Sequence, residues 1–271
     1  MTERRRATVG FCALAGLGLV FLAGCEPRQA VLNSDDLDKG LILVLPGIDG
    51  RTLEDDVAAR CLCTERIGLA VEIYDWTRPF AMLGNQTDVE QNRRAAGRLA
   101  ERIDAYHADH PDRPVFLVGH SGGTAIAVWA AERLGDGYRV EGIVLLASSL
   151  SPGYDLAAAS VRSRNGIVSF YSPRDVALLG VGTSLFGTMD GPRTEAAGKV
   201  GFAAGGGKLY QVGWRPEMAR CGNDGGHFAC MAGPFVQDYV APLLTAGQWD
   251  ESLMSAVREG RAAAKTVAAA G

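Results

Sequence analysis

The sequence predicts an α/β fold in which a mostly parallel central sheet is covered by helices on both faces. Short apolar runs bounded by turn residues alternate along the chain with longer segments of helical periodicity. The first of these runs, Leu41–Leu45, is continuously apolar rather than alternating in polarity, which is typical of a strand that is buried on both faces. Parallel strands need long crossover connections, and the intervening helices would supply them.

Six segments are predicted to be strands. The first, Leu41–Leu45, consists of five aliphatic residues and ends at Pro46-Gly47. The other five are residues 70–74, 115–118, 142–147, 167–171 and 209–213. The chain shows no internal repeat and no second domain, so these strands belong to one sheet.

The helices are predicted from the spacing of apolar residues. One helical face carries Val89, Ala96, Leu99, Ile103 and Tyr106. The sequence HPDRP at 110–114 then stops this helix before the third strand. Further helices are expected over 122–134, 155–164 and 232–244, and the alanine-rich segment 251–270 is expected to be a peripheral, partly frayed helix.

The first 24 residues have the composition of an export signal. Three arginines at 4–6 precede an uncharged apolar stretch at 9–23. The sequence Leu22-Ala23-Gly24-Cys25 resembles a bacterial lipobox, in which the cysteine is acylated and becomes the first mature residue. An uncleaved membrane anchor is the alternative, although the stretch is short for a span of roughly 20 residues.

These features divide the chain into four parts. Residues 1–24 are the signal peptide, 25–40 a lipid-anchored tether, 41–248 the folded domain and 249–271 a C-terminal helical tail. We therefore expect a protein of the cell envelope that is anchored to a membrane through Cys25 and faces the periplasm or the exterior.

Composition and charge argue against several classes of partner. The chain has 27 basic and 31 acidic residues, a formal net charge of −4, and no basic stripe of the kind that binds nucleic acid. It also has no glycine-rich phosphate loop and no histidine-rich metal cluster, so no cofactor is predicted.

The segment Gly119-His120-Ser121-Gly122-Gly123 matches the pattern G-x-S-x-G. The match by itself is weak, because 35 of the 271 residues are glycine. Its position makes it informative: it follows the apolar strand 115–118 and opens the helix at 122–134. A sharp turn between a strand and a helix presents a serine hydroxyl above the edge of the sheet, near a helix N-terminus that favours developing negative charge.

On these residues the chain resembles the α/β-hydrolase superfamily, over roughly 41–244. The resemblance implies a Ser–Asp–His triad in that chain order. Ser121 would be the nucleophile, and Asp175 would be the acid because it follows the strand 167–171, with Asp190 and Asp155 as alternatives. His227, in NDGGHF beyond the last strand, would be the base.

The resemblance also implies an oxyanion hole built from two backbone N–H groups, those of Gly122 and Ile48.

The remaining histidines are interpreted differently. His107 and His110 end a helix that precedes the nucleophile strand, and we expect them to be solvated. His120 precedes the serine, where the geometry of the turn normally prevents it from acting as base.

Two features depart from the family pattern. Only the tether precedes Leu41, so the usual first strands are expected to be absent. The segment 147–167 is too short for a cap domain, which implies a minimal fold.

An acyl pocket would be lined by apolar side chains from two segments, 74–83 and 178–186. The first segment includes Trp76, Phe80, Met82 and Leu83. The alternative is that these side chains serve ordinary packing.

Four cysteines remain after export: Cys61, Cys63, Cys221 and Cys230. An oxidising compartment permits three complete pairings, and the sequence does not choose among them. We expect a bridge that involves Cys230, either to Cys221 across the loop of His227 or, since the family packs its first and last helices together, to Cys61 or Cys63. The pair Cys61–Cys63 has the least suitable geometry.

The function implied by the resemblance is serine hydrolysis of a carboxylic ester, with a small-molecule or lipid ester as substrate. Two alternatives stay open: an acyltransferase that uses the same triad, and a non-catalytic envelope lipoprotein with a hydrolase fold. The sequence does not indicate an oligomeric state.

Overall fold

The computed structural model describes residues 29–64, 66–176, 187–203 and 208–261. Within these residues seven strands form one sheet with the order β1-β3-β2-β4-β5-β6-β7. Strands β2 to β7 are parallel, and β1 pairs antiparallel with β3 at one edge. The strands are β1 Gln29–Leu32, β2 Leu41–Leu45, β3 Ala70–Tyr74, β4 Val115–His120, β5 Gly142–Leu146, β6 Ile167–Tyr171 and β7 Leu209–Gly213. The predicted fold class is confirmed.

Helices connect the strands and cover the sheet. They are α1 Leu53–Leu62, α2 Met82–Thr87, α3 Val89–Asp109, α4 Gly122–Ala131, α5 Ala157–Val161, α6 Ala197–Val200, α7 over 233–245 and α8 Glu251–Arg258. The middle of α7, Val236–Val240, is π-helical and lies between α-helical Gly233–Phe235 and Ala241–Thr245. Helix α5 is shorter than the predicted 155–164 and is the single helix between β5 and β6 in this structure.

Both faces of the sheet are packed, as the continuous apolar strands predict. On β2, Leu41, Leu43 and Leu45 belong to a core shared with α3 and α4. Ile42 and Val44 point to the other face and belong to a core shared with α1, α7 and α8. All five side chains are fully buried, which accounts for the absence of polar residues in this strand.

The segment before β2 corrects one prediction. Residues 25–40 were assigned to a tether and no strand was expected before Leu41, yet Gln29–Leu32 forms β1 along the free edge of β3. The segment is tied down further by Asn33, whose Nδ2 donates to the Leu69 carbonyl over 2.9 Å. Without β1, the backbone N–H and C=O groups along the edge of β3 would have no strand to pair with. A short antiparallel strand supplies these hydrogen bonds through its backbone, so its side chains need no particular pattern.

The start of the C-terminal tail is part of the core rather than peripheral. Helix α8 buries Met254, Ala256 and Val257, and the indole of Trp249 is buried against Gly142 at the beginning of β5. The remaining tail, residues 262–271, lies outside the described residues.

The predicted signal peptide and Cys25 also lie outside the described residues. In the part of the chain that the structure describes, no helix is both long enough and apolar enough to cross a membrane.

The four cysteines at positions 61, 63, 221 and 230 are free thiols, so the predicted bridge that involves Cys230 is wrong. Three of these thiols donate to three different acceptors. Cys63 donates to Asn33 Oδ1 over 3.1 Å, and Cys221 donates to Asp238 Oδ2 over 3.0 Å. Cys230 Sγ donates to the carbonyl of His227 over 3.4 Å, and its burial raises the pKa of that thiol.

Gly123 lies where helix α4 closely approaches the end of strand β2. A Cβ at this position would lie 2.2 Å from the Leu45 carbonyl oxygen and 2.5 Å from that of Pro46. Because backbone atoms of β2 cannot move away cheaply, we expect Gly123→Ala to lower the free energy of unfolding by about 2–4 kcal/mol. Urea unfolding followed by circular dichroism measures this change.

Gly97 in α3 is the matched control, because a Cβ there would meet nothing within 4 Å. We expect Gly97→Ala to raise the free energy of unfolding by up to about 1 kcal/mol, since alanine is the better helix former. Equal stability changes in the two variants would contradict the close packing of α4 on β2.

Candidate active site

Ser121 occupies a strained turn between β4 and α4. Its backbone has φ 50° and ψ −120°, a conformation that residues other than glycine rarely adopt. Neighbouring groups hold the turn: the Ser121 N–H donates to the Leu146 carbonyl over 3.0 Å, and Thr124 Oγ1 donates to the Ser121 carbonyl over 2.5 Å. Such strain persists when the surroundings determine the conformation, and it places Oγ at the carboxyl edge of the sheet.

Three side chains from three loops meet at this edge. His227 Nε2 lies 2.9 Å from Ser121 Oγ, and His227 Nδ1 lies 2.8 Å from Asp175 Oδ1. Ser121 and Asp175 expose only 7% and 8% of their surface. The Asp175 carboxylate accepts a hydrogen bond from Nδ1–H, so Nε2 of the neutral imidazole is unprotonated and can accept the hydroxyl proton of the serine.

The two alternative acids lie elsewhere. The Asp190 carboxylate accepts from the Ser151 N–H over 2.8 Å and from Ser151 Oγ over 2.5 Å. Asp155 Oδ1 accepts from the Ala157 N–H over 2.9 Å, as in a turn. Of the three candidates only Asp175 hydrogen-bonds to His227.

The two predicted oxyanion donors lie side by side. The Ile48 nitrogen is 3.4 Å from the position that a Cβ on Gly122 would take. Two side chains hold the loop after β2: Trp76 Nε1 donates to the Pro46 carbonyl over 2.8 Å, and Asn85 Nδ2 donates to the Ile48 carbonyl over 2.9 Å. The loop is therefore anchored by the segment that follows β3.

His120 contacts the loop of His227 and not the serine hydroxyl. Its Nε2 lies 3.1 Å from the His227 carbonyl oxygen. A carbonyl only accepts, so Nε2 carries the proton and donates. Burial of the ring, with a smaller contribution from the neighbouring His227, lowers the pKa of His120 to about 3. A neutral His120 thus positions the backbone of His227, a role that sequence reasoning missed.

A cluster of hydroxyl groups lies beneath the turn and was also missed. Ser149 Oγ is 3.3 Å from Ser121 Oγ, and the Ser149 N–H donates to Thr124 Oγ1 over 3.2 Å. Thr124 Oγ1 is also 3.1 Å from Ser148 Oγ. The signal was present in the sequence, because Ser148 and Ser149 follow directly after a buried strand next to β4.

His107 and His110 do not have the solvated positions expected of them. Both are half-buried and stacked on tyrosines, with centroid distances of 5.3 Å from His107 to Tyr138 and 4.7 Å from His110 to Tyr106. They lie at the end of α3 that leads into β4, at the opposite edge of the sheet from Ser121.

The predicted apolar pocket is only partly visible. Trp76 is buried and supports the loop after β2, whereas Phe80, Met82 and Leu83 are exposed. The other predicted wall, 178–186, lies outside the described residues.

The chain is similar to one known protein family and to several solved structures. Residues 70–172 match the family model described as alpha/beta hydrolase, which supports a hydrolase. The fold is similar to that of TT1662 from Thermus thermophilus, with 16% sequence identity, a TM-score of 0.44, and coverage of 77% of this chain and 90% of that chain. It is also similar to that of P91, a dienelactone hydrolase-like promiscuous phosphotriesterase from metagenomic libraries. That comparison has 17% identity, a TM-score of 0.46, and coverage of 76% of this chain and 85% of that chain. The comparison with lipase B from Aspergillus fumigatus gives 10% identity, a TM-score of 0.44, and coverage of 89% of this chain and 65% of the lipase chain. No curated protein matches the sequence.

Ser149 offers a test of the hydroxyl cluster. Its hydroxyl is within hydrogen-bond distance of Ser121 Oγ, and a neutral hydrogen bond contributes about 0.5–1.5 kcal/mol. We expect Ser149→Ala to slow the labelling of Ser121 by a fluorophosphonate by about two- to ten-fold, with the fold unchanged by circular dichroism. Ser151→Ala is the control, because that hydroxyl binds Asp190; equal rates in both variants would show that Ser149 does not assist Ser121.

Proposed function

Because residues 70–172 match the alpha/beta hydrolase family model, we propose that this chain is a serine hydrolase of the α/β-hydrolase superfamily that cleaves a carboxylic ester with Ser121, His227 and Asp175. One observation carries the proposal: a continuous line of hydrogen bonds runs from Ser121 Oγ to His227 Nε2 and from His227 Nδ1 to Asp175. A serine hydroxyl is a poor nucleophile unless a neighbouring imidazole takes its proton, and this line supplies that base.

In the proposed reaction Ser121 Oγ attacks the ester carbonyl while His227 Nε2 takes the hydroxyl proton. Asp175 holds the tautomer of the imidazole and stabilises the imidazolium without accepting the proton. The tetrahedral oxyanion would accept hydrogen bonds from the N–H groups of Ile48 and Gly122, each worth about 3–4 kcal/mol of the barrier.

The imidazolium then returns the proton to the departing alcohol oxygen, and the C–O bond of the ester breaks. The acyl group remains on Ser121 Oγ. In the second half of the reaction His227 takes a proton from water while the water oxygen attacks the acyl carbonyl. The bond between the acyl carbon and Ser121 Oγ then breaks, and the imidazolium returns the proton to Oγ, which restores the serine hydroxyl and releases the acid. The products are an alcohol and a carboxylic acid.

We also propose that the chain is a lipoprotein of the cell envelope, anchored through Cys25. The support is the charged start of the chain, the apolar stretch 9–23 and the lipobox ending at Cys25. Strand β1 begins at Gln29, so four peptide steps of at most about 14 Å separate the proposed lipid from the sheet. The domain would therefore sit close to the membrane surface, without the longer tether expected from composition.

The triad is tested by single and double substitutions. We expect Ser121→Ala and His227→Ala each to lower kcat/KM for p-nitrophenyl acetate by about three to six orders of magnitude, and their combination to lower it little further, because they act as one unit. Asp175→Ala should be milder, at about two to four orders of magnitude, because the imidazole loses only its orienting partner.

Asp155→Ala is the matched control for the acid, because Asp155 is exposed and bonded within its own turn. It should retain full activity, and circular dichroism should show that all variants fold. Additive losses from Ser121 and His227 would show that they do not share one step. Full activity in Ser121→Ala, or no fluorophosphonate label on the wild-type serine, would overturn the proposed function.

The lipid anchor is tested by Cys25→Ser in the full-length chain expressed with its signal. We expect the wild type to partition into detergent and to carry an acyl mass on Cys25, and the variant to accumulate as unprocessed precursor. Mass spectrometry distinguishes the two forms. An identical mass and identical partitioning of both proteins would refute the anchor.

A further inference from the structure

An open groove lies directly beside His227, between α1 and the loop that follows β7. Its volume is about 460 Å³. Its lining in the described residues includes Leu53, Glu54, Val57, Asp224, His227, Phe228 and Met231. Since His227 forms part of the wall, the groove adjoins the proposed base.

The walls of the groove are largely apolar, and the wall formed by α1 is exposed. Leu53 and Val57 are one helical turn apart on α1 and expose 71% and 38% of their surface. Across the groove lie Phe228, which is half-buried, and Met231, which is buried in the core. A concave, mostly apolar surface of this kind is typical of a ligand-binding groove.

The chemistry of His227 determines which part of an ester reaches the groove. During acylation the imidazolium must donate its proton to the leaving alcohol oxygen, so that oxygen lies at Nε2. The carbonyl oxygen is directed instead toward the N–H groups of Ile48 and Gly122. On the basis of the proposed function, we infer that the groove binds the alcohol portion of the ester, and that this portion is apolar.

The charges at the groove exclude one class of alcohol. Glu54 and Asp224 are exposed at its rim, and the described lining contains no lysine or arginine. Two arginines lie nearby. Arg51 pairs with Asp56 over 2.6 Å, and Arg174 stacks over the Trp214 ring at 4.7 Å and donates to the Asp224 carbonyl over 3.1 Å. An alcohol that carries an anionic group would meet the exposed carboxylate of Glu54, so neutral and cationic alcohols are the substrates that fit.

The alcohol chain length tests the position of the groove. Two series of esters are compared by proton release: acetates of alcohols from ethanol to hexanol, and ethyl esters of acids from acetate to hexanoate. We expect wild-type kcat/KM to rise by roughly two- to four-fold for each methylene added to the alcohol. In Leu53→Ser and Val57→Ser the fold-change in kcat/KM for each methylene of the alcohol should fall toward one, which means no dependence on alcohol length. The dependence of kcat/KM on the length of the acyl chain should remain that of the wild type.

Val161→Ser is the matched control, because Val161 is also an exposed apolar helical residue, at 67%, and lies on α5 away from the groove. It should behave as the wild type in both series. A changed acyl series in the Leu53 and Val57 variants would assign the groove to the acid instead and overturn the inference. Unchanged dependence in both series would overturn it as well.

These failures are distinguishable from failure of the proposed function. A wild-type protein that takes a fluorophosphonate label and hydrolyses esters with no dependence on the alcohol refutes only the groove. A wild-type protein that neither reacts nor hydrolyses any ester refutes the proposed function and the groove together.

The charge of the groove is tested with two acetates of equal length, one whose alcohol ends in trimethylammonium and one whose alcohol ends in sulfonate. We expect the wild type to have the higher kcat/KM for the cationic ester. Glu54→Gln should reduce the ratio of the two kcat/KM values by about two- to five-fold at low salt, because interactions between exposed charges are weak. Added salt should reduce the wild-type preference in the same direction. A preference for the sulfonate would overturn the assignment of substrate charge.

Discussion

The turn at Ser121 is the constraint on which the rest of the structure depends. It joins the central strand β4 to α4, whose ten residues are all buried. Gly123 brings the start of that helix against the backbone of Leu45 and Pro46, where no side chain fits. The same contacts hold Ser121 at a positive φ, so core packing and the direction of the serine hydroxyl cannot be separated.

The parallel sheet explains why distant residues meet at this turn. Strands β4, β6 and β7 run in the same direction, so the loops that follow them, with Ser121, Asp175 and His227, open at one edge. Buried polar contacts then set the geometry. His120 is neutral in the core and donates to the His227 carbonyl, which links the nucleophile strand directly to the last loop.

The position of α1 connects the site to its surroundings. The helix begins just after the loop of Ile48, and it packs against the turn Ala229–Met231 and the start of α7. A capping box between Thr52 and Asp55 defines its first turn. Its outer face leaves Leu53 and Val57 exposed next to His227. One short helix therefore follows the loop of a proposed oxyanion donor and also forms one wall of the groove.

The sequence by itself determined six of the seven described strands and the order of the candidate site residues. Strands Leu41–Leu45, Ala70–Tyr74, Ile167–Tyr171 and Leu209–Gly213 were predicted at their observed bounds, because each is a short, mostly apolar run. The signal is clearest in Leu41–Leu45, which is apolar throughout and fully buried. Motif context and chain order were sufficient to select Ser121, Asp175 and His227, which the fold then brings within hydrogen-bond distance.

Only the tertiary structure decided features that depend on a distant partner. Strand β1 exists because β3 has a free edge, and its four residues carry no pattern of their own. The four cysteines are unbridged, although their number and the predicted compartment favoured a bridge. The contact between Ser149 and Ser121 joins residues 28 positions apart, and that between His120 and His227 joins residues 107 positions apart. Local sequence patterns reach only a few residues along the chain, whereas the packing of the sheet determines which loops become neighbours.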